Sequence, residues 1–184
     1  MPIKIIYSLS KILLLVFVTT IFSSCSTMQP KDFSNVEPKL VIEEYFNGTF
    51  QGTGIFFDRF GNQKRSFIVD LVCSTKDGVT YFDENLTYEN GEKLSRVYTI
   101  KKISDNYYEA TADGVEGIAK IDSFGNVLRW KYTLLQDING SIWRLNFDDW
   151  MFLQPNGVVL NRAKAYKWGI FLGELFMSVT KIKS

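Results

Sequence analysis

The chain has 184 residues, with 21 Lys+Arg against 20 Asp+Glu for a net charge of +1, which excludes a nucleic-acid partner recognised through a basic stripe. It contains no histidine, which removes the commonest general base and the commonest metal ligand. The 15 Phe, 9 Tyr and 4 Trp, set beside only 4 Pro, favour strands over disorder.

The chain opens with Lys4 and Lys11, then the apolar run 12–22, then Ser23, Ser24 and Cys25. A basic start, a short apolar middle and a small-residue exit make a secretory signal. The run is too short for the roughly 20 residues that span a bilayer as a helix. A cysteine at the exit resembles the signal of bacterial lipoproteins, whose cleaved chain begins at a lipidated cysteine. The resemblance implies a signal peptide over 1–24, lipidation of Cys25 and a membrane anchor. The following residue is Ser26, not Asp, which implies the outer membrane, facing the periplasm. If Cys25 carries lipid, Cys73 has no intramolecular partner and packs as a small apolar side chain.

Residues 25–40 read as a lipidated tether, polar from Ser26 to Pro38, leaving 41–184 as a single domain. Val41 to Phe46 has the spacing of a short helical turn. Beyond it, turn signals divide the chain into short segments: Phe60-Gly61-Asn62, Lys76-Asp77-Gly78, Asn90-Gly91, Ser104-Asp105-Asn106, Asp113-Gly114, Phe124-Gly125-Asn126, Asp137 to Gly140 and Pro155-Asn156-Gly157. Asn-Gly and Asp-Gly supply the positive φ of tight hairpins. The segments between them alternate. Phe67, Val69, Leu71 and Cys73 share one face; Phe82, Leu86 and Tyr88 share another with Glu84 among them; Tyr98 and Ile100 stand beside Arg96. The last stretch, from Trp168 to Val179, is apolar on both faces and reads as a closing strand, with a helix as the alternative. Glycines such as Gly52, Gly54, Gly117 and Gly125 mark turns, bulges or tight corners.

Nine or ten hairpin-linked strands fit an antiparallel up-and-down meander that hides its edges by closing into a lipocalin-like barrel. A two-sheet sandwich is the alternative. A barrel of about eight strands encloses one small ligand or a packed core.

Few residues carry chemistry. Asp148 and Asp149 are adjacent, so on a strand they point to opposite faces. The simplest arrangement puts one in a turn and pairs the other with a cation. Glu84, Arg96, Asp113, Arg129, Asn161, Arg162 and Lys167 lie among apolar residues and form either an internal ion-pair network or a ligand site. In a ligand site, Arg96 or Arg162 would hold a carboxylate or phosphate head group in bidentate fashion. Cys73 lies mid-strand with no His to activate it. No nucleophile elbow, phosphate loop, dinucleotide fingerprint or metal-ligand cluster is present, so no catalytic residue, cofactor or metal is assigned.

Several pieces of the chain match a known group: Tyr45-Phe46-Asn47-Gly48 with Asp58-Arg59-Phe60-Gly61; Asp83-Glu84 with Asn90-Gly91-Glu92; Arg96-Val97-Tyr98; Ala112 to Gly117; Gly125-Asn126 with Trp130-Lys131-Tyr132; Phe147-Asp148-Asp149-Trp150-Met151; and Asn161-Arg162 with Lys167-Trp168-Gly169. Together they resemble a family of small Gram-negative lipoproteins of unknown function (domain of unknown function 3833). The resemblance implies a lipoprotein with a compact β domain and no assigned activity. It also implies a link to fatty-acid or envelope-lipid metabolism, because such genes lie beside genes for lipid-modifying enzymes. Separately, Gly48-Thr49-Phe50 resembles the lipocalin glycine-x-tryptophan signature, with Phe50 in place of Trp.

The expected function is an outer-membrane lipoprotein, not an enzyme, whose barrel binds a lipid or other amphipathic molecule such as a fatty acid. The ligand-site candidates are Glu84, Arg96, Tyr98, Trp130, Asp148, Trp150 and Arg162. One alternative is a structural partner in the envelope. Another is an enzyme acting on lipid through Asp148, Asp149 or Glu84.

Overall fold

The computed structural model describes residues 27–138 and 140–182; Cys25 and the signal segment lie outside the described residues. Ten strands follow in order: β1 (Gly48–Asp58), β2 (Gln63–Lys76), β3 (Val79–Tyr88), β4 (Lys93–Ser104), β5 (Tyr107–Thr111), β6 (Ala119–Phe124), β7 (Val127–Ile138), β8 (Ser141–Leu153), β9 (Val158–Lys167) and β10 (Ile170–Lys181). Each pairs antiparallel with the next, and β1 also pairs with β10, so the sheet closes into a barrel. The expected up-and-down barrel is therefore met, and the two-sheet sandwich is not.

Alternation directs the contents of the barrel. On β2, Phe67, Val69, Leu71 and Cys73 are buried while Ile68, Asp70 and Val72 face solvent. Close approach explains the glycines of β1. A Cβ on Gly54 would stand 2.2 Å from the Phe67 ring, and one on Gly52 would stand 2.1 Å from the Ser178 carbonyl oxygen. The last stretch is the strand β10, not a helix, and it contains a turn the spacing did not signal. Trp168 and Gly169 take φ of +53° and +78° between β9 and β10, a conformation bulky side chains seldom adopt.

The turns after β2, β4, β6 and β8 gather at one end of the barrel, which a short helix α1 (Ile42–Tyr45) closes. Tyr45 donates its hydroxyl to the Gly157 carbonyl at 2.6 Å, and Tyr108 donates to Glu43 at 2.8 Å. Lys102 Nζ reaches Glu43 Oε1 at 2.9 Å. Beneath α1, the Phe46 ring lies 5.5 Å from Phe50 and 4.7 Å from Phe82, centroid to centroid. Leu40, Ile42, Ile100, Tyr108, Ile121 and Val159 complete a packed core.

The segment read as a tether is, from Pro30 onward, laid against the outer wall. A 3-10 turn (Pro30–Phe33) packs on β6 and β7, and the Phe33 ring meets Phe152 at 5.8 Å and Trp150 at 6.4 Å. Leu40 N–H donates to Gly125 O at 2.7 Å. Gly125, with φ +52°, leaves room for this segment: a Cβ there would strike Phe33 O at 1.8 Å. Polar composition suits solvent exposure, but Phe33 and Leu40 supply enough apolar area to dock the strap.

Candidate functional site

The turns after β1, β3, β5, β7 and β9 surround the other end of the barrel, and no helix of the described residues covers it. Here the inward positions carry mixed chemistry. β3 presents Glu84, Leu86 and Tyr88; β4 presents Leu94, Arg96 and Tyr98; β7 presents Trp130, Tyr132 and Leu134. β8 adds Phe147 and Asp149, and β9 adds Asn161, Ala163 and Ala165. Glu84 and Tyr132 face inward and are only partly buried, and Leu86, Tyr88, Tyr132 and Leu175 pack on the core from this side without being fully enclosed, so this half is less completely filled than the capped half.

The register brings the polar residues together. Glu84 pairs with Arg96 across β3 and β4, and Trp130 pairs with Asp149 across β7 and β8. Arg96 is held in place: Nε donates to the Asp113 carbonyl at 3.0 Å and Nη1 to the Tyr98 hydroxyl at 3.2 Å. Asn161 donates Nδ2 to Asp149 and, at 3.1 Å, to the Trp150 carbonyl. The Tyr98 and Trp130 rings meet edge to face at 5.8 Å, and Tyr132 stacks on Phe147 at 5.0 Å. The buried Trp130 Nε1–H has no hydrogen-bond partner among the described residues.

Burial sets the electrostatics of this floor. It raises the pKa of Glu84, partly opposed by the Arg96 charge. It pushes Asp149 up to about 7, opposed by the Asn161 hydrogen bond and reinforced by the charge of Glu84. It also raises Tyr132 and Tyr98, helped by the neighbouring carboxylates. The Cys73 thiol is pushed up to about 12 by burial and by Glu84, which makes it inert as a nucleophile. At the mouth stand cations over aromatic rings: Arg65 lies 3.5 Å from the Tyr88 ring centroid and Lys167 lies 3.3 Å from that of Trp143.

Of the residues expected to form a ligand site, Glu84, Arg96, Tyr98 and Trp130 face the interior together. Asp148, Trp150 and Arg162 do not, because the even positions of β8 and β9 face outward. Asp148 accepts a bidentate pair from Arg129 at 2.7 and 2.8 Å. Trp150 packs under Phe33, with the Arg129 guanidinium 4.7 Å from its ring. Arg162 is half exposed and pairs with Glu174 at 2.6 Å. The expectation that either of the adjacent aspartates sits in a turn is also corrected, since both lie within β8. Tyr132 and Phe147 were missed as site residues; their registration opposite one another on β7 and β8 is the signal that finds them. The outer wall carries shallow grooves of about 480 and 360 Å³ along β1 and β10, lined by Thr53, Ile55, Ile68, Leu160, Phe176 and Ile182. They open broadly to solvent and hold no charged group.

Fold and site together define a closed up-and-down β-barrel with one capped end and one uncapped end whose inward positions carry polar groups. The chain belongs to the family described as "Protein of unknown function (DUF3833)", matched over residues 19–181. No curated protein matches it. Among solved structures, Rv2717c from M. tuberculosis is similar with a TM-score of 0.56 at 11% identity, over 81% of this chain and 100% of that one. The S-type phycobiliprotein lyase CPES from Guillardia theta is similar with a TM-score of 0.58 at 9% identity, over 86% and 99%. A protein of unknown function of the DUF3598 family from Nostoc punctiforme is similar with a TM-score of 0.57 at 11% identity, over 79% of this chain; the chain spans 51% of that protein's length. At these identities the likeness is one of fold.

Proposed function

We propose that this protein binds a lipid or other amphipathic small molecule in the open half of its barrel, and that it works by binding, not by catalysis. The observation that carries the reading is the incomplete burial of the inward positions at the uncapped end. Leu86, Tyr88, Phe147 and Leu175 are inward-facing and incompletely buried, while a few polar groups converge below them. Binding sites for small molecules have this make-up: mostly apolar walls with a small number of placed polar groups. The protein is anchored through lipid on Cys25 to the outer membrane and faces the periplasm, which puts the barrel mouth within reach of envelope lipids.

Protein purified from membranes under mild conditions and extracted with organic solvent should yield a stoichiometric small amphiphile by mass spectrometry. An empty extract, together with failure of amphiphiles to bind, contradicts the reading. The anchor has its own check. Cys25→Ser should release the domain to the soluble fraction, and a mutant that stays membrane-bound at unchanged mass contradicts lipidation.

A second reading, a structural partner in the envelope, draws on the outer wall. Ile55, Ile68, Leu160, Phe176 and Ile182 are each more than a third exposed on neighbouring strands. Crosslinking in intact membranes that captured one partner through this face, with no ligand in the barrel, would favour it.

A further inference from the structure

The most exposed large apolar side chains of the described residues stand at one end of the barrel. Trp168 is 84% exposed, Phe60 75% and Ile142 66%, and Ile170 beside Trp168 is 54% exposed. Phe60 lies in the turn after β1, Ile142 at the turn after β7, and Trp168 and Ile170 at the turn after β9. These are three neighbouring turns of the uncapped end, because β10 pairs with both β1 and β9, and β9 with β8.

Neither turn chemistry nor burial accounts for them. Tight turns favour Gly, Asn, Asp and Ser. Trp168 instead holds φ of +53°, a conformation that a bulky side chain adopts only at a cost, and a ring so exposed gains no core packing in return. Cations accompany the rings. Arg59 lies 4.8 Å from the Phe60 ring centroid and Lys167 4.6 Å from that of Trp168. Behind the turns, the outer faces of β6 to β9 form a groove of about 600 Å³ whose lining includes Ile118 and the cations Lys120, Arg129 and Lys131. The two acids of the groove are already paired, Asp148 with Arg129 and Glu116 with Arg144, so the groove keeps a surplus of positive charge.

The strap joins the barrel on this side as well. Pro30–Phe33 packs on β6 and β7. Cys25 precedes Pro30 by five positions, a reach of at most about 18 Å. Apolar side chains on separate turn tips, with Arg and Lys beside them, suit a yielding lipid surface: the rings enter the interface and the cations meet phosphates. A folded protein partner would call for one continuous apolar patch instead. The turn 89–92 carries Glu89 and Glu92, which an anionic surface repels, so the contact tilts towards β7 to β10.

We infer that the uncapped end of the barrel docks on an anionic lipid surface. Phe60, Ile142, Trp168 and Ile170 enter the interface, and Arg59, Lys120, Lys131 and Lys167 meet phosphates. This goes beyond the binding reading and does not depend on what the barrel holds.

The test is tryptophan fluorescence of the full-length protein reconstituted in vesicles of phosphatidylglycerol and phosphatidylethanolamine. The vesicles are made with and without phosphatidylcholine brominated on its acyl chains, a short-range quencher. Subtracting the signal of Trp168→Phe isolates Trp168 from the other three tryptophans, including Trp130, which a bromolipid inside the barrel would quench. Trp168 should lose most of its emission to the bromolipid. Phe60→Asp combined with Ile142→Asp, at exposed positions where Tm should not change, should restore most of it. Vesicles of phosphatidylcholine alone should quench less, since they lack the anionic charge that attracts Lys and Arg. Unquenched Trp168, or quenching unchanged in the double variant, overturns the inference. Trp168 shielded from aqueous acrylamide but not quenched by bromolipid also overturns it, because another protein or a second copy then covers this end. Equal quenching in phosphatidylcholine overturns the part assigned to the cations. None of these results bears on what is extracted from the barrel, so the docking and binding readings fail separately.

Discussion

The two halves of this barrel share eight long strands, but β5 and β6 reach only the capped half, and in the open half the segment 112–118 stands in their place, with Val115 bridged to Leu134. At the capped half, Phe46, Phe50 and Phe82 interlock beneath α1, and Ile100, Ile121 and Val159 are almost wholly buried. At the open half, Glu84, Leu86, Tyr88, Tyr132 and Phe147 face inward and are only partly buried. A barrel of this size can hold either contents. The difference comes from what each strand places at its inward positions: large apolar groups near the turns after β2, β4, β6 and β8, and Glu84, Arg96, Asp149 and Asn161 with small Ala163 and Ala165 towards the other end. One half is filled by large apolar groups, and the other is the half proposed to take a ligand.

Mutations at equivalent depth test that division. Phe46→Ala or Phe50→Ala should cost about 3–5 kcal/mol in denaturant unfolding, the range for a truncated core aromatic. Phe147→Ala, in the open half, should cost less than about 2 kcal/mol, because its ring is only partly buried. Equal costs would mean both halves are packed.

The next largest effect is in pH. Asp149 has a folded pKa of about 7, against about 3.9 for an unfolded aspartate. The folded state therefore holds the extra proton between these values, and stability falls as pH rises from about 4 to about 7, by up to about 4 kcal/mol. The loss should show as a decline in Tm between pH 5 and pH 8. Asp149→Asn should flatten most of that decline; an unchanged slope would mean that Asp149 is not the enclosed acid of the floor.

The inner and outer walls should also separate. Arg129→Ala removes a bidentate partner of Asp148 and the cation over Trp150, and should cost about 2 kcal/mol while leaving ligand binding intact. Arg162→Ala should change stability by less than about 1 kcal/mol, since its pair with Glu174 is half exposed. It too should leave binding unaltered; weaker binding would place a ligand on the outer wall.

The sequence made the frame legible where local chemistry is strong. Asp-Gly and Asn-Gly turns mark the hairpins, and the strict alternation of β2 sets its faces. The turn at Trp168-Gly169 was hidden because a tryptophan takes the left-handed position that Asn or Asp commonly fills. The docked strap was hidden because Phe33 and Leu40 are isolated apolar residues in a polar segment, and only tertiary contact decides their burial. Of the site, Glu84, Arg96 and Tyr98 were legible from alternation on β3 and β4. Asp148, Trp150 and Arg162 were misplaced because a residue's chemistry does not reveal which face of a strand it occupies. Parity on β8 separates Asp149 from Asp148, and the register between β7 and β8 then brings Trp130, Tyr132 and Phe147 to the same half of the barrel.

The central claim, that the open half takes a ligand, is tested most directly at Leu86, an inward and half-buried residue between Glu84 and Tyr88. Calorimetry of Leu86→Trp in the full-length protein, with 1-dodecanol and dodecylamine as probes, reads the claim. The account predicts that the larger ring is taken up by the space with little loss of Tm, and that binding of both probes is lost. A variant that loses several kcal/mol of stability, as overpacking of a filled core would produce, or one that folds and binds the probes as tightly as before, would contradict it.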